Sequence, residues 1–368
     1  MSHILFISHA RGIHGAEAVM VQAVSACAAA GARITVAVPS IVPDEGMDEV
    51  LKGIPNVQVM ALPFRASGVH ALRTTLVRVY NRYALGRLKT YVQREHVDTI
   101  YSNTSITILG AALAQATGVR HIWHWHEPVD KHFGWHPSMV GLYRRLAQRA
   151  DTIICISHQQ QTEWEQSLGR TLPNAQIIYN PIKRIETRTK AAHEGICVGF
   201  IGHFEARKNL PLLLRAFEKL HAVYPATSLS FCGAIDDKNR VYIEQMTELR
   251  APIVNILPQT SDVASFYRTI DILVLPSLRE TMPLVVLEAM QAGVCVLQTD
   301  QSGMKEIIEE GKESLFFSPE KPDELEDLLS KCMTESYRSR IAQAGQQKAL
   351  SLVKNQQFDQ QIQTLLCA

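Results

Sequence analysis

Two glutamates separated by seven residues are the most informative pair of titratable side chains in the sequence. Glu280 lies in a polar loop between a strand-like run, Ile272–Pro276, and a helix predicted to carry Pro283 in its first turn. Glu288 lies more than one turn into that helix among aliphatic neighbours, where an uncompensated carboxylate would be costly. Two carboxylates in this arrangement can accept hydrogen bonds from different hydroxyl-bearing rings of one extended ligand.

The turn between these glutamates is a predicted anion site. The first backbone N–H groups of a helix have no partner inside the helix, and the helix dipole is positive at that end. A phosphate-like group is therefore expected there. The residues predicted to line it are Thr281, Met282, Pro283 and Leu284.

A second candidate anion site follows the strand-like run Ile196–Ile201. Gly202 starts a loop, and Arg207 and Lys208 stand where this loop opens a helix. Acidic residues are the usual choice at a helix start, so two basic residues favour a ligand over a plain solvated surface. Cations in this position could stabilise negative charge that develops on a departing group.

His126 is the candidate for proton transfer or for contact with a hydroxyl group. It ends the run Arg120–His126, in which alternation places His124 and His126 on one face of a strand and two tryptophans on the other. A neutral imidazole can bind a hydroxymethyl group or relay a proton. Five histidines between residues 121 and 136 could instead suggest a metal, but carboxylate and Cys partners at ligand spacing are lacking, and the chain has no Asp-x-Asp sequence. We therefore expect no metal.

Apolar runs alternate with helical patterns along the whole chain, which predicts an α/β fold with doubly wound parallel sheets. Two similar β-α-β stretches start at Ile4 and at Ile196, so we expect two Rossmann-like domains, residues 1–187 and 188–350, facing a central cleft. A C-terminal helix, residues 351–368, is expected to pack back on the first domain. The predicted strands are Ile4–Ser8, Ile34–Pro39, Val57–Leu62, Asp98–Ser102, Arg120–His126, Thr152–Ser157, Ile177–Tyr179, Ile196–Ile201, Ser228–Cys232, Val254–Leu257, Ile272–Pro276, Cys295–Thr299 and Leu315–Phe317.

Composition narrows the class of protein. Of 368 residues, 46% are hydrophobic and 20% are charged, which is typical of globular domains, and 37 basic against 36 acidic residues argue against nucleic-acid binding. The seven scattered cysteines indicate reduced thiols and not a disulfide framework. We see no signal peptide and no apolar run long enough to span a membrane, so we expect a cytoplasmic protein.

One segment departs from this even charge balance. Residues 65–94 contain no acidic residue, and apolar residues interleave with the basic ones at helical spacing. A solvated helix face and a patch for anionic lipid at the inner face of the plasma membrane are both consistent with this pattern. The basic residues are Arg65, Arg73, Arg78, Arg82, Arg87, Lys89 and Arg94.

The pair Glu280 and Glu288 resembles the E-x7-E motif of family-4 retaining glycosyltransferases of the GT-B fold. Gly15-Ala-Glu17 is similar to the N-terminal Gly-Gly-x-Glu loop of that family, and Gly202 with Arg207 and Lys208 to its donor loop. The resemblance covers nearly the whole chain. Departures from the family pattern are His14, His203 and Ser302.

The resemblance implies a retaining hexosyl transfer from a UDP- or GDP-sugar to a glycan or lipid-linked acceptor in surface polysaccharide or lipopolysaccharide synthesis. Glu280 would bind a hydroxyl of the donor sugar and Glu288 the ribose, while Arg207 and Lys208 would meet the diphosphate. The leaving phosphate would help to deprotonate the acceptor, and no cofactor is implied. Further implied contacts are His126 with the sugar, Gly15 with the donor phosphates, and Glu17, Asn103, His124 and Ser157 on the acceptor side.

Three other functions are alternatives to this one. A nucleotide-sugar epimerase of the GT-B type would share the architecture and would act on the donor alone. A non-catalytic sugar-binding subunit is disfavoured by the intact Glu280, Glu288 and Lys208. A dinucleotide oxidoreductase is weaker still, because the loop with Gly12 and Gly15 lacks the Gly-x-Gly-x-x-Gly pattern.

Overall fold

The computed structural model describes residues 2–13, 15–41, 46–65, 75–129, 137–186, 194–233, 254–260 and 262–367. The chain divides into two units. The first unit is Met1–Pro181 together with Gln357–Ala368, and the second unit is Ile182–Gln356. The predicted boundary between residues 187 and 188 lies outside the described residues.

The first unit is built on a seven-stranded parallel sheet with the order β3-β2-β1-β4-β5-β6-β7. Its strands are β1 (His3–Ile7), β2 (Arg33–Pro39), β3 (Val57–Leu62), β4 (Thr99–Asn103), β5 (Arg120–Trp125), β6 (Thr152–Cys155) and β7 (Ala175–Ile177). Its helices are α1 (Gly15–Ala29), α2 (Met47–Lys52), α3 (Thr75–Arg94), α4 (Ile108–Thr117), α5 (Val140–Ala147), α6 (His158–Leu168) and, at the end of the chain, α12 (Phe358–Cys367).

The second unit is built on a six-stranded parallel sheet with the order β10-β9-β8-β11-β12-β13. Its strands are β8 (Ile196–Ile201), β9 (Thr227–Gly233), β10 (Val254–Pro258), β11 (Ile272–Leu275), β12 (Cys295–Thr299) and β13 (Leu315–Phe317). Its helices are α7 (Leu210–Val223), α8 (Val263–Tyr267), α9 (Leu284–Gln291), α10 (Pro322–Cys332) and α11 (Glu335–Asn355).

Helices on both faces explain why the strands are apolar without a polar side. In β1, Ile4 and Phe6 pack in one hydrophobic cluster with residues of α1 and α12. Leu5 and Ile7, which point the opposite way, pack in another with residues of α3 and α4. A strand that is covered by helices on both faces therefore has a continuously apolar sequence.

The α/β prediction, with two Rossmann-like parallel sheets, is confirmed. Each of the thirteen predicted strands corresponds to an observed one; four match at both ends, and no end differs by more than two residues. The helix in the basic segment is described from Thr75, and Arg73 lies outside the described residues. Pro283 precedes α9 as its N-cap and is not in its first turn as predicted.

The last helix completes the core of the first unit. Phe358, Ile362 and Leu366 of α12 are buried in the cluster shared with α1. The Gln363 side-chain amide donates to the Ala26 carbonyl at 2.8 Å. Of the predicted helix 351–368, the first residues belong to α11, which ends at Asn355.

Each sheet has a topological switch point, a pair of neighbouring strands from which the strand order continues outwards in opposite directions. It lies between β1 and β4 in the first unit and between β8 and β11 in the second. Loops that leave the carboxyl ends of such a strand pair diverge and leave room for a ligand. Among the described residues, no helix has both the length and the apolar character that crossing a bilayer requires.

Candidate active site

A buried ion pair lies at the switch point of the second sheet. The Lys208 ammonium, at the end of a single 3-10 turn after β8, donates to Glu280 Oε1 at 2.5 Å. Glu280 is in the loop after β11. The two residues are only 9% and 8% exposed, so each charge depends on the other for compensation.

Backbone hydrogen bonds hold three loops together around this pair. The Leu278 amide, after β11, donates to the Arg207 carbonyl at 2.9 Å, and the Glu280 amide donates to the Gln301 carbonyl, after β12, at 2.8 Å. The Gly303 amide donates to the Thr281 carbonyl at 2.9 Å. The loops after β8, β11 and β12 therefore form one connected surface.

Cations decide the ionisation of Glu280. Burial by itself would raise the pKa of this carboxyl, but the charges of Lys208 and Arg207, together with hydrogen bonds from Lys208 and Ser277, lower it below its ordinary value. Arg207 Nη1 is 3.7 Å from Glu280 Oε1, and its Nη2 is 2.6 Å from Glu205 Oε1. The site therefore holds an ionised carboxylate with two cations beside it.

The backbone conformation at position 202 requires a glycine. Its φ is 148°, in a region that favours glycine, and its amide donates to the Cys232 carbonyl at 3.0 Å. A Cβ on the neighbouring Gly233 would lie 1.9 Å from the Gly202 carbonyl oxygen. Two glycines thus let the loop after β8 pass directly beside the end of β9.

Glu288, the second glutamate of the predicted pair, lies on α9 of the same unit and has Tyr267 as a hydrogen-bond partner. The Tyr267 hydroxyl donates to Glu288 Oε2 at 2.9 Å. Burial raises the pKa of Glu288 above its ordinary value, and this effect exceeds the lowering by Tyr267 and Lys183. The cavity beside it has a volume of about 450 Å³ and is lined by Lys183, Arg184, Ile185, Glu186, Asp262, Val263, Ala264, Arg268 and Glu288.

The remaining residues predicted to bind the donor lie at the start of α9 and just before it. Thr281 and Leu284 are half-buried, whereas Met282 and Pro283 are buried. Because Pro283 is the N-cap, the first helical amide belongs to Leu284. The helix therefore begins one residue later than the sequence suggested.

In the first unit, Asn103 fixes the state of His126. The Asn103 side-chain amide donates to the Ala16 carbonyl at 3.2 Å, so its oxygen faces His126 Nε2 at 3.0 Å and accepts a hydrogen bond from it. Burial lowers the pKa of His126 to about 4, despite the nearby charges of Glu127 and Glu17. His126 is therefore a neutral imidazole near pH 7.

Three predicted acceptor-side residues are buried and have hydrogen-bond partners within the first unit. His124 is fully buried and bonds the Tyr101 hydroxyl through Nδ1. Ser157 caps α6 and accepts a hydrogen bond from the Gln160 amide at 3.0 Å. Asn103 is also buried and acts on His126. These three contacts were predicted from the resemblance alone.

Glu17 and Gly15 lie at the start of α1. Glu17 is almost fully buried and pairs with His9, whose Nδ1 is 2.9 Å from Glu17 Oε1. A Cβ on Gly15 would meet no atom within 4 Å, so the space beside this residue is open. His9 was not among the predicted site residues, although its position just after β1 is a signal that could have identified it. His14 lies outside the described residues.

Two family models match the chain. Residues 13–184 match the model described as Glycosyltransferase Family 4, and residues 182–348 match the one described as Glycosyl transferases group 1. An uncharacterized glycosyltransferase of Haemophilus influenzae is 26% identical over 231 residues. That match covers 61% of this chain and 63% of the relative, so the chain spans less than two thirds of the relative's length.

Solved structures share the fold. The crystal structure of Anabaena HepE in complex with UDP-glucose has a TM-score of 0.81 at 19% identity, with 100% of both chains covered. The lipopolysaccharide outer core galactosyltransferase WaaB, in its apo form, has a TM-score of 0.63 at 16% identity and covers 96% of this chain and 99% of its own. These likenesses confirm the predicted GT-B architecture.

Replacing Glu288 by Gln should stabilise the protein above neutral pH. The pKa of Glu288 is higher in the folded state than in the unfolded chain, so its ionised form opposes folding at high pH, and this effect disappears as the pH falls below the unfolded pKa. Gln keeps an oxygen that accepts from Tyr267. We expect Glu288→Gln to melt above the wild type at pH 8, with the difference shrinking towards pH 4. Glu320→Gln, at an exposed position, is the control, and a lower melting temperature of Glu288→Gln at pH 8 would contradict the assignment.

Proposed function

Because this chain belongs to the glycosyltransferases, with a family 4 domain followed by a group 1 domain, we propose that it moves a hexosyl group from a UDP- or GDP-sugar to a glycan or lipid-linked acceptor. The observation that carries the proposal is the buried contact between Lys208 and Glu280 at the switch point of the second sheet. It puts a cation and a hydrogen-bond acceptor for hydroxyls side by side, as a sugar joined to a diphosphate requires.

In this proposal the second unit binds the donor. Lys208 and Arg207 stabilise the negative charge that grows on the β-phosphate as the bond to the sugar breaks. Glu280 accepts from a hydroxyl of the donor sugar, and the amides at the start of α9 face a phosphate. Glu288 binds the ribose, which is supported by the cavity of about 450 Å³ beside it.

We further propose retention of the anomeric configuration and a role in surface polysaccharide or lipopolysaccharide synthesis. Retention is supported by the resemblance of Glu280 and Glu288 to the E-x7-E motif of family-4 retaining glycosyltransferases, and proton NMR of the product linkage tests it. The biosynthetic role is supported by the likeness to WaaB, described as a lipopolysaccharide outer core galactosyltransferase. The choice of a nucleotide-sugar donor is supported by the UDP-glucose bound to HepE.

Removing the Lys208 charge should abolish most of the transfer. We expect Lys208→Met to lower kcat by about 10²–10³-fold, because one electrostatic contact to the developing charge is lost. The assay is transfer of labelled sugar from UDP- and GDP-sugars to a lipid-linked or glycan acceptor. Lys219→Met is the matched control, since Lys219 forms an exposed ion pair with Glu326 at 2.7 Å in the same unit. Turnover of Lys208→Met within twofold of the wild type would contradict the proposal.

We also propose that turnover needs no metal ion. In the described ranges, no three His, Cys, Asp or Glu side chains gather as a metal site would require, and the cations at the diphosphate are Lys208 and Arg207. Transfer should therefore proceed at an unchanged rate in excess EDTA. Loss of activity in EDTA that Mn²⁺ restores would overturn this proposal.

We propose that α3 contacts an anionic membrane at the inner face of the plasma membrane. Three of its apolar side chains, Leu76, Val79 and Tyr83, are more than half exposed. Five basic residues of the same helix are exposed as well, namely Arg78, Arg82, Arg87, Lys89 and Arg94. The opposite side of α3 packs in the core through Ala84 and Leu88. Exposed apolar and basic side chains on one helix suit a surface of anionic lipid.

Charge reversal on α3 should release the protein from vesicles. We expect the double variant Arg82→Glu, Lys89→Glu to lower partitioning onto phosphatidylcholine vesicles with 30% phosphatidylglycerol by at least about tenfold, since each basic residue at a membrane contributes about 1 kcal/mol. Vesicle flotation measures this. Lys331→Glu, Lys354→Glu reverses two exposed charges of the second unit and should bind as the wild type does. Equal loss in both variants, or no binding of the wild type, would refute the membrane contact.

A further inference from the structure

Arg207, the second cation of the candidate site, is shared by two carboxylates. Its Nη2 is 2.6 Å from Glu205 Oε1, and its Nη1 is 3.7 Å from Glu280 Oε1. Lys208 contacts Glu280 as well. These four side chains carry two positive and two negative charges, so an anion that binds to the two cations also comes close to the two carboxylates.

The two carboxylates differ in how much the fold depends on them. The Glu280 side chain is 10% exposed, and its charge compensates the buried ammonium of Lys208. The Glu205 side chain is 38% exposed, so water already screens its pair with Arg207. An ion pair with this much solvent contributes little to stability. The fold therefore does not require a carboxylate at position 205.

The backbone holds Glu205 beside the cations. Glu205 is the N-cap of the 3-10 turn Ala206–Lys208, and its carbonyl accepts a hydrogen bond from the Lys208 amide at 2.9 Å. The Arg207 carbonyl in turn accepts from the Leu278 amide at 2.9 Å, which ties this turn to the loop after β11. A ligand that contacts the Arg207 guanidinium therefore meets the charge of Glu205 on the same turn.

The donor and the product of the proposed reaction differ in charge at the phosphate that these cations face. In a nucleoside-diphosphate sugar, the β-phosphate is joined to the sugar and carries one negative charge. After transfer the β-phosphate is terminal, and a terminal phosphate with a second pKa of about 6 carries a charge of about −1.5 to −2 at pH 7. Arg207 and Lys208 alone would therefore bind the product more tightly than the donor, and slow product release can limit turnover.

We propose that Glu205 sets the preference of the site for the nucleoside-diphosphate sugar over the free nucleoside diphosphate, by opposing the extra charge on the product. This inference rests on the proposed function, since it concerns the donor and the product of that reaction. A fixed carboxylate repels both ligands, but it repels the product more because the terminal phosphate carries more charge. Specificity is commonly achieved through such a repulsive contact. Glu205 thereby weakens product binding relative to donor binding and speeds product release.

The test compares Glu205→Gln with the wild type by isothermal titration calorimetry at pH 7.5 in EDTA, without acceptor. The ligand pairs are UDP with UDP-glucose and GDP with GDP-mannose. Gln keeps an oxygen that accepts from Arg207 but lacks the charge. A unit charge about 6 Å from a carboxylate in a water-exposed setting changes an equilibrium constant about threefold to tenfold. We therefore expect the ratio of product affinity to donor affinity to rise about threefold to tenfold in Glu205→Gln.

Control variants and a salt series separate this role from a structural one. Glu205→Asp keeps the charge and should keep the wild-type ratio within twofold. Glu326→Gln removes the same charge from an ion pair of the same unit, with Lys219 at 2.7 Å, and should leave both affinities unchanged. The effect of Glu205→Gln should shrink in 0.5 M NaCl, because salt screens exposed charges. Glu205→Ala gives the same comparison if Glu205→Gln does not fold.

The outcomes distinguish this inference from the function on which it rests. If the wild type binds one of the ligand pairs and Glu205→Gln keeps the ratio within twofold, Glu205 does not discriminate and the inference is wrong. Equal gains in affinity for product and donor overturn it too. A loss of both affinities would make Glu205 an orienting partner of Arg207 and would also overturn the inference. A wild type that binds neither ligand pair overturns the proposed function itself.

Discussion

The burial of Lys208 against Glu280 is the interaction on which the second unit's site depends. Moving either charge out of water costs several kcal/mol, and the cost is recovered only when the partner is held in good geometry. The two residues are 72 positions apart in the chain, so their contact requires the loops after β8 and β11 to keep a fixed position relative to each other. The backbone hydrogen bonds from Leu278 to Arg207 and from Glu280 to Gln301 hold these loops in place.

The first unit also has a basic side chain beside a buried carboxylate, but the base is a histidine and not a lysine. At its switch point, His9 Nδ1 is 2.9 Å from Glu17 Oε1. The two sheets thus share both their topology and a contact between a basic and an acidic side chain in the loops that follow their strands.

Much of the fold could be predicted from sequence because strands enclosed on both faces leave an unmistakable apolar run, as in Ile196–Ile201. Strand ends were harder, since they depend on hydrogen-bond ladders that hydropathy does not encode. Alternation placed His124 and His126 on one face, and their rings are indeed 3.9 Å apart. The alternation could not show that His124, which lies two residues before His126, is buried against Tyr101. The position of His9 after β1 is its one sequence signal, and the tertiary contact with Glu17 is what distinguishes it from other histidines that follow a strand.

The position of α12 has a consequence for the order in which the chain can fold. Residues 182–356 are translated before α12, the helix that packs on α1. At about 5–20 residues per second, roughly 10–35 s of translation separate the end of β7 from the start of α12. During that interval an apolar strip of the first unit stays open on the ribosome. Chaperone capture or aggregation of the nascent chain should therefore concentrate on this strip, and the second unit can reach its native state before the first.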